Sequence, residues 1–268
     1  ASMIPIAGSA YTYSFATMGE FVAWIIGWDL VLEYAVGAST VAIAWSEYLN
    51  KVLGYVGWHI PYQWCHSPFE TMAGTGVQGI MNIPAVVILG LLSALLIRGT
   101  KESAFINGII VVLKVAIVIM VITIGWGFID PANHTPYIPE ATLYTTPQGI
   151  THAYGGIMGI LGAAGVVFFA FIGFDAVSTA AQEAKNPKRD MPIGILGSLV
   201  ICTILYVLFA HVLSGVATVE DFRSTGREAS VAFAISKYMV GYEWLSKAVT
   251  IAILAGFSSV ILVMLLGQ

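Results

Sequence analysis

The hydrophobic residues of this chain form long uninterrupted runs instead of short periodic patterns. A helix needs about 20 apolar residues to cross the roughly 30 Å of bilayer hydrocarbon. Most of the runs reach that length, while the second, with 16 residues, is marginal. The pattern predicts an all-α, polytopic membrane helix bundle with about six transmembrane helices. The runs cover residues 21–49, 82–97, 104–129, 157–182, 192–217 and 244–267.

The composition supports a membrane protein and excludes several other classes. Hydrophobic residues make up 58% of the 268 residues and charged residues only 10%, against about 25% in soluble domains. The net charge of -4 comes from thinly spread residues, so no nucleic-acid partner is expected. The two cysteines, Cys65 and Cys202, form no disulfide or metal framework. We therefore predict no metal site and no cofactor.

The ends of the chain indicate a piece of a longer protein. Residue 1 is alanine rather than methionine, and an apolar run continues to the last residues. We expect residues 1–268 to be a single transmembrane fragment. Short basic connections at residues 98–102 and 183–190 favour the cytoplasmic side for both ends.

Two carboxylates lie in the first apolar run. Asp29 and Glu33 are four residues apart, so they share one face of a helix. An ionisable side chain inside a membrane is costly and is a functional hypothesis by default. Glu33 either meets a cationic group or a proton beside a cavity, or is a structural carboxylate tied to a neighbouring helix.

Lys114 is the isolated charge of the third run, more than ten residues from any other charged residue. A lysine surrounded by hydrocarbon loses the hydration that favours its charged form, and such residues can bind and release a proton. The alternative is a permanent buried ion pair, which locks a helix instead of switching it.

Polar residues also interrupt the fourth and sixth runs. Gly173 and Asp175 follow an aromatic segment, which indicates either close helix packing or a discontinuous helix whose free carbonyls attract an ammonium group. Ser258 and Ser259 either bond the carbonyls of their own helix or coordinate an ion.

Several segments together resemble bacterial amino-acid permeases. The closest resemblance is to the cationic amino acid transporter branch of the amino acid, polyamine and organocation superfamily. It covers essentially the whole chain. The segments that carry it, in order, are Ser2–Tyr13, Gly27–Tyr34, Phe169–Asp175, Gln182–Pro187 and Asp190–Ile195.

The resemblance implies a partial five-plus-five inverted-repeat transporter fold. This chain then corresponds to the third to eighth helices, preceded by the tail of the second. The first helix, most of the second and those after the eighth lie outside it. In the family, the broken first helix supplies the backbone amides that receive the substrate carboxylate.

The resemblance also implies roles for residues at matching positions. The carbonyls of the interrupted fourth run resemble those that receive the substrate amino group. Lys114 resembles a built-in substitute for a sodium ion, close to Ser258 and Ser259. The expected substrate-binding residues are Phe169, Ala170, Ile172, Gly173, Glu33 and Met264, with Phe168 as a gate in the aromatic run.

These features together predict a secondary active amino-acid transporter that couples amino-acid symport to protons by alternating access. The predicted partners are an amino-acid substrate, protons and the lipid bilayer, and the sequence leaves open a small accessory membrane subunit. The predicted location is the cell membrane, as a multi-pass protein of a bacterial inner membrane.

The sequence leaves two alternative functions open. One is an amino-acid exchanger without net proton flux, and the other is a non-transporting membrane scaffold or sensor. An enzyme is not expected, because no metal-ligand or nucleophile motif is present.

Overall fold

Each of the six predicted runs contains a helix in the computed structural model. The structure describes residues 8–72, 75–98, 100–145, 151–171, 173, 184–224 and 230–268. The helices of these ranges are α1 (Ser9–Met18), α2 (Glu20–Gly54), α3 (Ile83–Arg98), α4 (Thr100–Gly125), α5 (Gly156–Val167), α6 (Pro187–Val216), α7 (Val219–Ser224), α8 (Ser230–Tyr238) and α9 (Glu243–Gly267).

Within the described ranges, four helices are long and apolar enough to cross a membrane: α2, α4, α6 and α9. The helices α3 and α5 are apolar but shorter, with 16 and 12 residues. At about 1.5 Å per residue, the 35 residues of α2 extend about 52 Å, so this helix tilts or reaches beyond the hydrocarbon. The predicted polytopic helix bundle is confirmed.

A small β-hairpin, which the sequence analysis did not predict, lies in the connection between α4 and α5. Strands β1 (Thr142–Thr145) and β2 (Thr151–Tyr154) pair antiparallel, with Thr142 opposite Tyr154. Threonine and tyrosine suit strands, but four residues are too few for a hydrophobic pattern to reveal them.

The helices α2 and α9 make the most extensive contact of the bundle. Their buried residues Tyr34, Ala38 and Met264 form one cluster. The Tyr55 hydroxyl lies 3.1 Å from Thr250 Oγ1 and joins the same two helices by a hydrogen bond. Apolar packing and a polar tether thus both fix α9 against α2.

A second core joins α4, α6, α8 and α9. Its buried residues include Val121 on α4, Val212 on α6, Ile235 on α8 and Val249 on α9. Beside it, α4 ends at Gly125, where an added β-carbon lies 2.6 Å from Cγ1 of Val212. The absence of a side chain at Gly125 therefore lets α4 and α6 approach each other.

We predict that Gly125→Val destabilises the protein, because a side chain there has to displace the buried Val212. The expected cost is about 1–3 kcal/mol, typical of overpacking a well-packed core. Thermal unfolding of the detergent-solubilised protein measures it. Gly90→Val is the matched control, since nothing lies within 4 Å of an added β-carbon at Gly90. Equal unfolding temperatures for the two variants contradict the close α4–α6 approach.

Candidate functional site

The regular helix of the fourth apolar run ends early. Helix α5 stops at Val167, and the tighter helical turn Phe168–Phe171 follows it. Gly173 has φ of +101°, a conformation that residues with a side chain rarely adopt. The regular α-helix therefore breaks off at Val167, within the fourth apolar run and before its glycine. Ile172 lies outside the described residues.

A cavity of about 270 Å³ lies beside this interruption, between α4, α6 and α9. Its wall combines aliphatic side chains with a lysine amine, an amide, two hydroxyl groups, a phenol and a thiol. Predicted site residues in the wall are Lys114, Ala170, Gly173, Ser259 and Met264, and residues that the sequence analysis missed are Asn107, Ser198, Cys202 and Tyr206.

Two hydrogen bonds join separate elements across this cavity. The Tyr206 hydroxyl of α6 donates to the carbonyl of Ala170 at 2.9 Å, so a side chain satisfies a backbone oxygen of the interrupted segment. The Ser259 hydroxyl of α9 donates to the side-chain oxygen of Asn107 on α4. Polar groups therefore join four elements of the cavity wall in two pairs, α6 with the turn after α5 and α9 with α4.

Lys114 is half-buried and lines a second cavity as well. That cavity, of about 410 Å³, is almost wholly apolar and includes Phe209 of α6 and Phe257 of α9. An added β-carbon at Gly256 lies 3.7 Å from Cδ of Lys114, so this glycine leaves space for the lysine stem. Among the described residues that line either cavity there is no carboxylate. Lys114 thus lies between a polar cavity and an apolar cavity and lines both.

Other predicted residues do not line the polar cavity. Glu33 is half-buried on α2 and does not line the cavity. Phe168 is 61% exposed and does not line it either. Ser258 accepts a hydrogen bond from Trp45 Nε1 at 2.9 Å, which joins α2 and α9. For Phe169 only the backbone is described, within the tight turn.

Three of the cavity residues that were not predicted, Asn107, Cys202 and Tyr206, are spaced in the sequence as residues on one helix face are. Asn107 precedes Lys114 by seven residues, which places both on one face of α4. Cys202 and Tyr206 are four residues apart on one face of α6. Single polar residues of these types are common in membrane helices, so the spacing gains meaning only when the packing places them at one cavity.

The described residues contain no group of three His, Cys, Asp or Glu side chains that could hold a metal ion. The absence of a metal site and of a cofactor stays a prediction.

Comparison with known proteins identifies the family. The amino acid permease family profile matches residues 1–268. The chain belongs to the amino acid permease family. Family membership and the long apolar helices identify the chain as part of a multi-pass protein of the cell membrane.

Individual relatives of this permease are named for different cargoes. It is 39% identical to the branched-chain amino acid permease BcaP of Bacillus subtilis, over 100% of this chain and 53% of the relative. It is 38% identical to the methylthioribose transporter of the same organism, over 100% of this chain and 52% of the relative. Cationic amino acid transporter 1 of Arabidopsis thaliana is 32% identical over 99% of this chain and 40% of its own length.

The chain spans about half the length of the curated relatives it matches. These relatives are named as permeases and transporters, not as enzymes. The predicted resemblance to bacterial permeases and to the cationic amino acid transporter branch is confirmed.

We predict that Ser259 and Asn107 stabilise the bundle as a pair. Ser259→Ala and Asn107→Ala each remove one partner of the same hydrogen bond, so the double variant loses less stability than the sum of the two single losses. The expected coupling is about 1 kcal/mol, measured by a double-mutant cycle on denaturant unfolding in detergent. Strictly additive losses contradict the pairing of α4 with α9 at this cavity.

Proposed function

We propose that this permease carries amino acids across the membrane by alternating access, coupled to symport of a proton. One observation carries the proposal: a single cavity is lined both by Lys114 and by Ala170, which lies in the tight turn where α5 ends. An amino acid is a zwitterion, so it needs acceptors for its ammonium group and positive charge for its carboxylate.

The interrupted segment supplies the acceptors. Carbonyls that leave a regular helix inside a membrane protein are free to coordinate a cation or a substrate group. We assign the carbonyl of Ala170, with those of Phe169 and Ile172, to the substrate ammonium. Gly173 and Met264 are proposed parts of the same pocket, and Phe168 is its proposed aromatic gate.

Lys114 supplies the positive charge for the substrate carboxylate and couples substrate binding to proton binding. When protonated, it attracts the carboxylate of a bound zwitterion, in addition to the amides that the family resemblance assigns to a helix outside this chain. If protonation of Lys114 strengthens substrate binding, bound substrate must strengthen protonation of Lys114 by the same factor. Proton and substrate then bind cooperatively, which symport requires. Ser259, which lines the same cavity, is proposed to connect this lysine to α9, while Ser258 supports that position from the α2 side through Trp45.

The composition of the cavity bears on the cargo. Leu199, Val260, Val263 and Met264 give its described wall an aliphatic character. A cationic side chain needs a carboxylate partner in such a low-dielectric space, and Glu33 does not line the cavity. We therefore favour neutral amino acids as cargo over arginine or lysine.

Uptake of labelled compounds by the full-length permease in proteoliposomes tests the proposal. The panel contains neutral and cationic amino acids together with methylthioribose, because a relative is named for that compound. We expect accumulation of neutral amino acids that an inward proton gradient stimulates. Exchange without gradient dependence supports an exchanger instead, and no flux of any amino acid overturns the proposal.

We predict that Lys114→Ala abolishes the gradient-driven part of this uptake, because the variant has no amine to protonate at the cavity. Lys247→Ala is the matched control, because Lys247 is exposed, its amine lies 5.7 Å from the ring centroid of Tyr55, and it lines neither cavity. Initial rates with and without the gradient measure the effect. Full gradient stimulation in Lys114→Ala removes the coupling role of this lysine.

A further inference from the structure

The Tyr206 side chain is held at two points beside the interrupted helix. Its hydroxyl donates to the carbonyl of Ala170 at 2.9 Å. Its ring meets the ring of Phe171 edge to face, with centroids 5.2 Å apart and an interplanar angle of 76°. The phenol is therefore oriented before any ligand arrives, which lowers the entropic cost of using it for binding.

The direction of this hydrogen bond leaves both oxygens, that of Tyr206 and that of Ala170, able to accept a further hydrogen bond. A carbonyl has no proton, so the Tyr206 hydroxyl must be the donor. The hydroxyl also has a hydrogen-bond contact with the Cys202 thiol, and its oxygen still has a lone pair for a ligand. The carbonyl oxygen of Ala170 keeps a second lone pair. These two oxygens lie 2.9 Å apart and belong to residues that line the cavity, so one ligand can donate hydrogen bonds to both.

We propose that Tyr206 is a substrate-binding residue, whose hydroxyl forms with the Ala170 carbonyl a paired acceptor site for the substrate ammonium. An ammonium group has three N–H donors in a compact head, so it can bond both oxygens at once. The inference rests on the proposed function, because it names a further ligand of the same site.

A purely structural tether is the competing explanation, and the molecule offers a comparison. The Tyr55 hydroxyl joins α2 to α9 through Thr250, and neither residue lines the polar cavity. Tyr206 makes a similar bond, but its acceptor is a backbone carbonyl of an interrupted helix. Both tyrosine hydroxyls therefore tether two elements, but only Tyr206 lines the cavity proposed to bind substrate.

Cys202 provides a readout of substrate binding that does not depend on transport. It lies one helical turn before Tyr206 and lines the same cavity. In the full-length permease, every cysteine except Cys202 is replaced by serine. The rate of maleimide labelling is then measured against the concentration of a transported neutral amino acid. Each variant is compared with its own unprotected rate, so a changed thiol reactivity does not affect the concentration that halves labelling.

We expect Tyr206→Phe to raise the half-protecting concentration about tenfold, since it removes one hydrogen bond to a charged group and keeps the ring. Tyr55→Phe is expected to leave that concentration unchanged. An unchanged value in Tyr206→Phe overturns the binding role and leaves the hydroxyl as a tether. Absence of protection without any substitution at Tyr206 instead overturns the proposed function at this cavity, so the two failures are distinguishable.

A second measurement needs no substitution at Tyr206 and therefore does not depend on folding of that variant. The N,N,N-trimethyl derivative of the same amino acid keeps the positive charge but has no N–H donor. We expect it to protect Cys202 only at concentrations at least about tenfold higher than the parent amino acid. Equal protection by the two compounds overturns the paired acceptor site.

Discussion

Hydrocarbon offers no hydrogen-bond partner to a peptide group, so backbone that leaves a helix inside the bilayer must be satisfied by the protein or by what the protein binds. This constraint bears on the segment after α5, which ends at Val167 and is followed by the tight turn Phe168–Phe171. The Ala170 carbonyl accepts a hydrogen bond from the Tyr206 hydroxyl. An interruption that costs stability therefore also creates a polar site in an otherwise apolar bundle.

The surrounding helices bring further polar groups to this site. The α4–α9 pair contributes the bonded Asn107 and Ser259 together with Lys114, while apolar contacts and the Tyr55–Thr250 bond fix α9 against α2. The lysine has the polar cavity on one side and an apolar cavity on the other. In the proposed mechanism, this position makes its charge sensitive to the substrate bound nearby, and Tyr206 adds a second oxygen for the substrate ammonium.

The sequence predicted the helices well, because long apolar runs leave little choice of structure in a membrane. Lys114 and Gly173 could be singled out as candidates from the sequence, since each departs from the apolar pattern, and both line the polar cavity. Tyr206 and Asn107 were missed because their importance depends on which helix faces meet, and hydropathy does not determine that. Ser258 was predicted beside Lys114, yet its hydroxyl is bonded to Trp45 on α2. Adjacent residues on a helix point about 100° apart, so only Ser259 lines the cavity.

Simultaneous measurement of proton and amino-acid flux in proteoliposomes containing the full-length permease tests proton coupling most directly. A pH-sensitive dye inside the vesicles reports proton entry, and labelled substrate reports amino-acid entry. Symport through a single coupling lysine predicts about one proton for each neutral amino acid, with both fluxes starting together when substrate is added. Amino-acid uptake without proton entry contradicts it.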